Sequence, residues 1–445
     1  MFEMIFSDYL NPEHELLRAS ELIDWDGLHD GLSKFYSPLG RSGKPIRLMV
    51  GIHILKHRYN SSDERAVEEL HENAYWQCFC GFETFQKGRI LDATSMVKFR
   101  NRIGTEGMRM IEQVLLQSWT DMGLVKSSRI LVDTTPMPKD IAYPTDADLL
   151  HKVREKIVKQ VKQAGSEVAF RKPFRSFSRV GKRALLEVKK VCKTAEAKKA
   201  KVKEIAEMTD KVVRQAERLV KSLYANGKKE LGRKLSQAVR LGKKIVQQTQ
   251  TVLAGEKPEK RIYSLHEPEV AAIKKGKSHI SCEFGSVVAV SVNYDGVVLS
   301  HVEYQENVGD VKTLGPTLSG VKQNTGHTPK EVGADRGFDQ SEPKRSRLRR
   351  RWNIERMSIP KKGKRPHPDH NEPWFKRCQR KRSGIEAVIG HLKNDHRMNR
   401  CRYQGPQGDT ANVVWATLAW NMKKITRLAD QKEHKKQSKI TKQAA

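Results

Sequence analysis

The sequence predicts an α/β protein in which an all-helical N-terminal region precedes a sheet and a basic helical insertion interrupts that sheet. Three observations lead to this prediction. Helical periodicity fills the first 125 residues, and β-branched runs begin only at residue 129. Residues 151–258 then change abruptly to Lys, Arg, Ala, Val and Gln, with apolar residues at three- and four-residue spacing.

The charge of the chain bears on its partners. Its 445 residues include 84 Lys and Arg against 52 Asp and Glu, a formal charge of +32. An excess of this size attracts phosphate, so nucleic acid is the leading partner. No apolar run approaches the roughly 18 residues of a membrane span, and we expect no membrane partner. The six cysteines lack paired CxxC spacing, which favours a reducing interior over a disulfide framework.

The N-terminal region predicts a series of helices. Apolar spacing after Pro45 predicts a helix over 45–57, and Ser61 with Glu64 has the spacing of a capping box that starts the next helix. Lys44 and Arg47 are candidate DNA contacts on the first of these helices. A solvated helix face explains any single one of these charges equally well.

Strand signals begin with RILVDTTPM, which carries Asp133. The run is apolar on both alternating faces, as expected for a central strand covered on both sides. A carboxylate at the end of such a strand is costly unless it meets a cation. Two later acidic positions match it: Asp335 follows a short strand in EVGADRGF, and Glu386 lies in a helical segment. We expect these three carboxylates to meet and to bind divalent metal.

The helix that carries Glu386 is amphipathic. At about 100° per residue, Arg382, Glu386 and Lys393 fall in one stripe, beside an apolar stripe that begins at Ile385. Taken alone, an Arg–Glu pair at positions i and i+4 is more often a solvated surface pair. The pair gains interest only because two strand aspartates accompany it.

The three carboxylates suggest phosphodiester chemistry. Carboxylate oxygens suit Mg²⁺, for which Mn²⁺ can substitute, and two such ions can activate a nucleophile and stabilise a leaving group. In this hypothesis Asp133 bridges both metals, Asp335 binds one and Glu386 binds the other. The basic side chains expected to contact phosphate beside the metals are Arg382, Lys393 and Arg336.

The insertion and the segments after it complete the prediction. Residues 151–258 contain two apolar-seamed runs separated by Asn226-Gly227, which predict a basic helical hairpin. Its basic outer face suits DNA contact and its seam suits self-association, and the sequence leaves both open. The run VVAVSVNYDGVVLSHVEY predicts a β-hairpin, and the residues after about 430 predict a disordered basic tail.

Several of these segments resemble bacterial insertion-sequence transposases of the DDE class. The resemblance lies in GKPIRLMVGIHILKHRYNSSDERAVEELHENAYWQCFCGFETF, TSMVKFRNRIG, VDTTPMPKDIAYPTDADLL, KGKSHISCEFG, GADRGFD and the Arg-x3-Glu-x6-Lys spacing. It implies an RNase H-like α/β catalytic core with the acidic triad at Asp133, Asp335 and Glu386. The implied domains are a helical DNA-binding domain at 1–125, the catalytic domain at 126–150 and 259–430, the basic insertion at 151–258 and the tail at 431–445.

The resemblance also implies an activity. The expected protein binds the terminal inverted repeats of an element, cleaves at its ends and joins the 3′ ends to target DNA, as a homodimer or higher oligomer on double-stranded DNA near the prokaryotic nucleoid. One departure concerns a tyrosine that the family signature carries three residues before the arginine, where this chain has Gln379. The alternatives are a metal-dependent nuclease or resolvase without strand transfer, and a non-catalytic DNA-binding protein derived from a transposase.

Overall fold

The computed structural model describes residues 4–40, 42–166, 173–274, 282–363 and 366–444. Its helices are α1 (Glu15–Glu21), α2 (Trp25–Ser33), α3 (Ile46–Arg58), α4 (Asp63–Glu72), α5 (Ala74–Phe79), α6 (Ala93–Asp121), α7 (Asp146–Gly165), α8 (Ser178–Lys190), α9 (Ala195–Ala225), α10 (Lys229–Leu253), α11 (Asp310–Thr325), α12 (Glu342–Trp352), α13 (Pro373–Asn394) and α14 (Gly405–Ala444). Its strands are β1 (Arg129–Pro138), β2 (Ala271–Ile273), β3 (Glu283–Asn293), β4 (Val298–Tyr304), β5 (Glu331–Ala334) and β6 (Arg356–Ser358).

The KGKSHIS part of one family-like motif, residues 275–281, lies outside the described residues. Within the described ranges, every helix is too short or too polar to cross a membrane.

The chain forms two compact units. Unit 1 comprises Met1–Asp140 and Ile273–Ala445, and unit 2 comprises Ile141–Ala272. In unit 1 the apolar core is continuous across residue 125, where the sequence predicts a domain boundary. Leu55 of α3 and Leu115 of α6 belong to the same buried cluster as Ile130 of β1 and Trp415 of α14. The N-terminal helices therefore share a core with the sheet.

The sheet of unit 1 has β1 near its centre. β3 pairs antiparallel with β1 on one side and with β4 on the other, while β5 pairs parallel with β1 and β6 pairs parallel with β5. Val132 of β1 lies opposite Ala334 of β5. Residues 130–132 are buried, as the apolar run ahead of Asp133 predicts for a strand covered on both faces.

Two sequence predictions in unit 1 need correction. The hydroxyl that caps α4 belongs to Ser62 rather than Ser61, and it accepts the Arg65 N–H at 3.1 Å. The segment after residue 430 is helical to Ala444 rather than disordered. Its Lys, Gln, Ala and Glu residues favour helix and no Gly or Pro interrupts them, so the buried first half of α14 propagates into the tail.

Over residues 141–166 and 173–272, unit 2 contains four helices, α7 to α10, where the sequence predicts a two-helix hairpin. The apolar run that starts near Leu185 is divided between α8 and α9, and the new helix starts at Thr194, whose hydroxyl accepts the Ala197 N–H at 3.2 Å. Asn226 and Gly227 separate α9 from α10, as predicted. The unit has its own apolar core, which includes Val153 of α7.

Candidate active site

The two predicted strand aspartates lie at the same level on neighbouring parallel strands. Asp133 follows Val132, Asp335 follows Ala334, and Val132 and Ala334 are opposite each other. Residues at matching positions of parallel strands point to the same face, so the two aspartates emerge on one side of the sheet. Asp335 also accepts the Gly337 N–H at 2.8 Å through Oδ1, which fixes its carboxylate at the start of a short 3₁₀ turn.

Helix α13 brings the predicted glutamate towards the first aspartate. Ile385 and Leu392 are fully buried and belong to the cluster that contains Leu131 of β1. With this apolar face docked, Arg382 lies between two carboxylates. Its Nη1 is 3.9 Å from Asp133 Oδ2, and its Nη2 is 3.6 Å from Glu386 Oε1. The Glu386 side chain itself is 68% exposed, whereas that of Asp133 is 17% exposed.

The residue at the position of the family tyrosine has a structural role. The Gln379 side-chain amide donates to the Ala334 carbonyl at 3.2 Å and to the Ser358 carbonyl at 2.7 Å. Gln379 therefore ties α13 to the carboxyl ends of β5 and β6, directly before Asp335. The packing of α13 against β5 is also close at the preceding residues: a Cβ added to Gly333 would lie 2.5 Å from Cys378 Sγ.

Asp310, at the first position of α11, is a fourth carboxylate in this region, and sequence reasoning missed it. Its Oδ1 accepts the Thr134 hydroxyl at 2.6 Å. A Cβ added to Gly337 would lie 2.3 Å from Asp310 Oδ2 and 2.9 Å from Asp335 Oδ1, so both carboxylates close over this glycine. The available signal was the acidic residue at a helix N-terminus. Such residues are common because they interact favourably with the helix dipole, so this position alone does not indicate a functional site.

The other predicted phosphate contacts are dispersed. Arg336 is exposed next to Asp335, and Lys393 is half-buried near the end of α13. The Lys44 ammonium donates to the Ile90 carbonyl at 2.6 Å. Arg47 donates to the Phe79 carbonyl at 3.2 Å and stacks over a tryptophan ring. A phosphate role for Arg47 would require these internal contacts to break.

The donor set fits a hard cation in chemistry but is not assembled around one. Across the described ranges, no three His, Cys, Asp or Glu side chains come close enough together to hold a metal ion. Carboxylate oxygens are the ligands that Mg²⁺ prefers. In this arrangement the Arg382 guanidinium supplies the positive charge between Asp133 and Glu386.

Comparison with known proteins gives the family. Residues 4–102 match the family model described as a transposase domain (DUF772), and residues 264–422 match the model described as a transposase DDE domain. A Rhizobium meliloti protein described as "Uncharacterized protein ORF8 in nfe locus" is 38% identical over 184 residues, which cover 41% of this chain and 86% of that protein. No solved structure matches the chain.

The matched regions contain most of the site. Asp335 and Glu386 lie inside the DDE match, as do Arg382 and Asp310, while Asp133 lies between the two matches on the strand that pairs with β5. The two domain matches agree with the motifs in the sequence. The chain belongs to the family of insertion-sequence DDE transposases.

Proposed function

We propose that this protein binds the terminal inverted repeats of an insertion sequence, cleaves at the element ends and joins the freed 3′ ends to target DNA. The proposed core is RNase H-like, with Asp133, Asp335 and Glu386 as its catalytic carboxylates and Mg²⁺ as its metal. The observation that carries this proposal is the position of Arg382, which contacts Asp133 on β1 and Glu386 on α13. Asp335 directly follows β5, the strand that pairs with β1.

Arg382 joins carboxylates from two separate elements, Asp133 on β1 and Glu386 on α13. Like charges repel, so a strand aspartate and a helix glutamate on the same side of a sheet are held near each other more easily with a cation between them. Arg382 meets this need in the protein alone. When divalent metal is bound, it stabilises charge on the entering and leaving oxygens and lowers the pKa of an attacking water.

The remaining residues have positioning roles in the proposal. Asp310 holds the Thr134 hydroxyl, and Thr134 directly follows Asp133. The backbone N–H of Thr134 donates to Asp133 Oδ1 at 2.7 Å, so the orientation of this carboxylate depends on the neighbouring backbone. Gln379 anchors α13 to the sheet ahead of Asp335 and so sets the register at which the glutamate is presented.

The test is a strand-transfer assay with Mg²⁺ or Mn²⁺ and labelled duplexes that carry the DNA flanking the gene. Wild-type protein should give joined product. Asp133→Asn, Asp335→Asn and Glu386→Gln should reduce it to background, because each removes a metal-binding oxygen while nearly preserving side-chain volume. Asp310→Asn should lower the rate without abolishing the reaction, since it weakens positioning only.

The matched control is Asp30→Asn, which removes a carboxylate that is 88% exposed on α2. It should leave the yield of joined product unchanged. Cleavage without joining by the wild type would favour a nuclease or resolvase, and tight DNA binding with neither reaction would favour a non-catalytic protein. Full activity in Asp335→Asn would refute the assignment of the carboxylates.

A further inference from the structure

Unit 2 carries more than half of the excess positive charge of the chain. Residues 141–272 contain 32 Lys and Arg against 15 Asp and Glu, a formal charge of +17 out of the total of +32. Most of this unit lies between the two family-model matches, since the first match ends at residue 102 and the second begins at residue 264. Its function is therefore not given by the family.

The apolar residues of unit 2 are largely buried in its own core. The periodic positions that the sequence offered for self-association are buried in the core of the unit, and they include Ile205, Val212, Ala216, Leu223, Leu235, Ala238 and Ile245. A dimer built on this seam would have to open the core. The observation favours the other interpretation of the insertion, in which its outer face contacts a polyanion.

One part of that outer face is an open groove of about 700 Å³. It lies where the segment before α8 meets α9, and it combines aromatic and basic side chains. Its lining residues are Pro173, Phe174, Arg175, Phe177, Lys211, Arg214, Gln215 and Arg218. We call this feature the unit 2 groove.

The walls of the unit 2 groove are fixed by specific contacts. The Arg175 backbone N–H donates to Gln215 Oε1 at 2.9 Å, and Gln215 Nε2 donates back to the Arg175 carbonyl at 3.3 Å. The Arg175 guanidinium lies 5.2 Å from the centre of the Phe177 ring. These contacts hold the segment along α9, so a ligand in the groove would meet a pre-ordered surface and lose less entropy on binding.

The charges of the groove follow one helical face. Lys211, Arg214 and Arg218 are exposed and occur at positions i, i+3 and i+7 of α9. At 1.5 Å per residue, Lys211 and Arg218 are about 10 Å apart along the helix axis, which equals the rise of roughly three base pairs along a DNA duplex. Arg214 is paired with Asp210 at 2.6 Å, and Arg175 adds a charge from the opposite wall.

We propose that the unit 2 groove binds the sugar–phosphate backbone of DNA. Lys211, Arg218 and Arg175 contact phosphates, and the half-buried rings of Phe174 and Phe177 lie against the apolar faces of the sugars. Phosphate contacts of this kind position a protein on DNA without reading its sequence. The inference rests on the proposed function only in taking DNA as the polyanion.

The test uses the full chain with Lys211→Gln and Arg218→Gln combined. The matched control combines Lys198→Gln and Lys199→Gln, which remove the same charge from exposed positions in the first two turns of the same helix. The Kd is measured against salt concentration for an end-bearing duplex and for an unrelated duplex of equal length. Loss of two phosphate contacts should flatten the slope of log K against log salt by about 1.8. If the variant and the wild type bind equally at 1 M salt, this change corresponds to roughly 60-fold weaker binding by the variant at 0.1 M salt.

The two duplexes should lose affinity equally, because a backbone contact is independent of sequence. Equal slopes for the groove variant and its control would overturn the proposal. So would loss of self-association in the groove variant without DNA, measured by sedimentation, since that would make the groove a protein interface. Neither result depends on strand transfer, so failure of this inference and failure of the proposed function are distinguishable.

Discussion

Glu303→Gln should destabilise unit 1, because Glu303 belongs to a buried network of opposite charges. His301 and Glu303 are on β4. The His301 imidazole is 3.0 Å from Glu112 Oε1 and 2.5 Å from Glu303 Oε1. Arg109 reaches Glu303 Oε2 at 2.7 Å, and the Thr410 hydroxyl donates to the same oxygen at 2.9 Å. The network therefore connects α6, the sheet and α14.

The magnitude follows from the pKa of Glu303. Burial alone would raise the pKa of this carboxyl, but His301 and Arg109 outweigh burial and lower it to about 2. Relative to an ordinary value of 4.5, the lowered pKa corresponds to on the order of 3 kcal/mol of stability at neutral pH, at about 1.4 kcal/mol per tenfold change. Removal of one partner from a buried pair typically costs about 3–5 kcal/mol. The two estimates agree.

The assay is urea-induced unfolding followed by tryptophan fluorescence. All seven tryptophans lie in unit 1, so the signal reports on that unit alone. They are Trp25, Trp76, Trp119, Trp352, Trp374, Trp415 and Trp420. At pH 7, Glu303→Gln should lower the free energy of unfolding of unit 1 by about 3 kcal/mol. Glu306→Gln, at an exposed position three residues further on, should change it by less than about 0.5 kcal/mol.

The pH dependence gives the sign. A carboxyl with a lowered pKa contributes stability that is complete above its unfolded value and is lost as the pH falls through its folded value. The contribution of Glu303 should therefore be present above about pH 4.5 and disappear towards pH 2. Wild type and Glu303→Gln should converge in stability over that window. A loss below about 1 kcal/mol at pH 7, or a difference between the proteins that stays constant down to pH 2, would refute this reasoning.

Two further predictions concern buried contacts of unit 1. Lys139→Met should lower the free energy of unfolding of unit 1 by about 3–5 kcal/mol in the same assay, because it leaves the Asp409 carboxylate without its buried cation. This carboxylate is 1% exposed and 2.8 Å from the Lys139 ammonium. Adding Asp409→Asn should recover part of the loss, and no recovery would contradict the pairing. Gly333→Ala should cost about 1–3 kcal/mol, because the new Cβ would lie 2.5 Å from Cys378 Sγ, and Cys378→Ala in the same chain should reduce that cost. An unaltered unfolding midpoint in Gly333→Ala would mean that α13 shifts freely on β5.

The parts of the fold that could be predicted from sequence are those specified by local pattern. The apolar run before Asp133 was enough to predict β1, and the periodicity around Glu386 was enough to predict the docked face of α13. The Asp-Gly turn was enough to predict the β3–β4 hairpin. In each case the period of the apolar residues and a single turn signal determine the element.

The parts that could not be predicted depend on contacts between distant segments. Asp310 matters because it meets Thr134, which is 176 residues away along the chain. Serine is a capping residue type at both 61 and 62, and only the extended backbone conformation at Ser62 makes it the cap of α4. The division of α8 from α9 depends on Thr194, a modest cap inside a run whose apolar period continues across it. Local propensity does not determine which of these caps and contacts form.

The place of unit 2 in the chain supports a role in binding rather than in folding. The chain leaves unit 1 after β1 and returns before β3, although these two strands pair antiparallel up to Pro138 and Gly285. A short turn would close this pair. If residues 141–272 were a flexible loop, closing it would cost about 3 kcal/mol more chain entropy than closing a four-residue turn. A unit that folds on its own core reduces that cost, because it fixes the distance between its ends. The insertion is therefore longer than the connection between β1 and β3 requires, and its most distinctive property, the charge of +17, is one that acts on a partner.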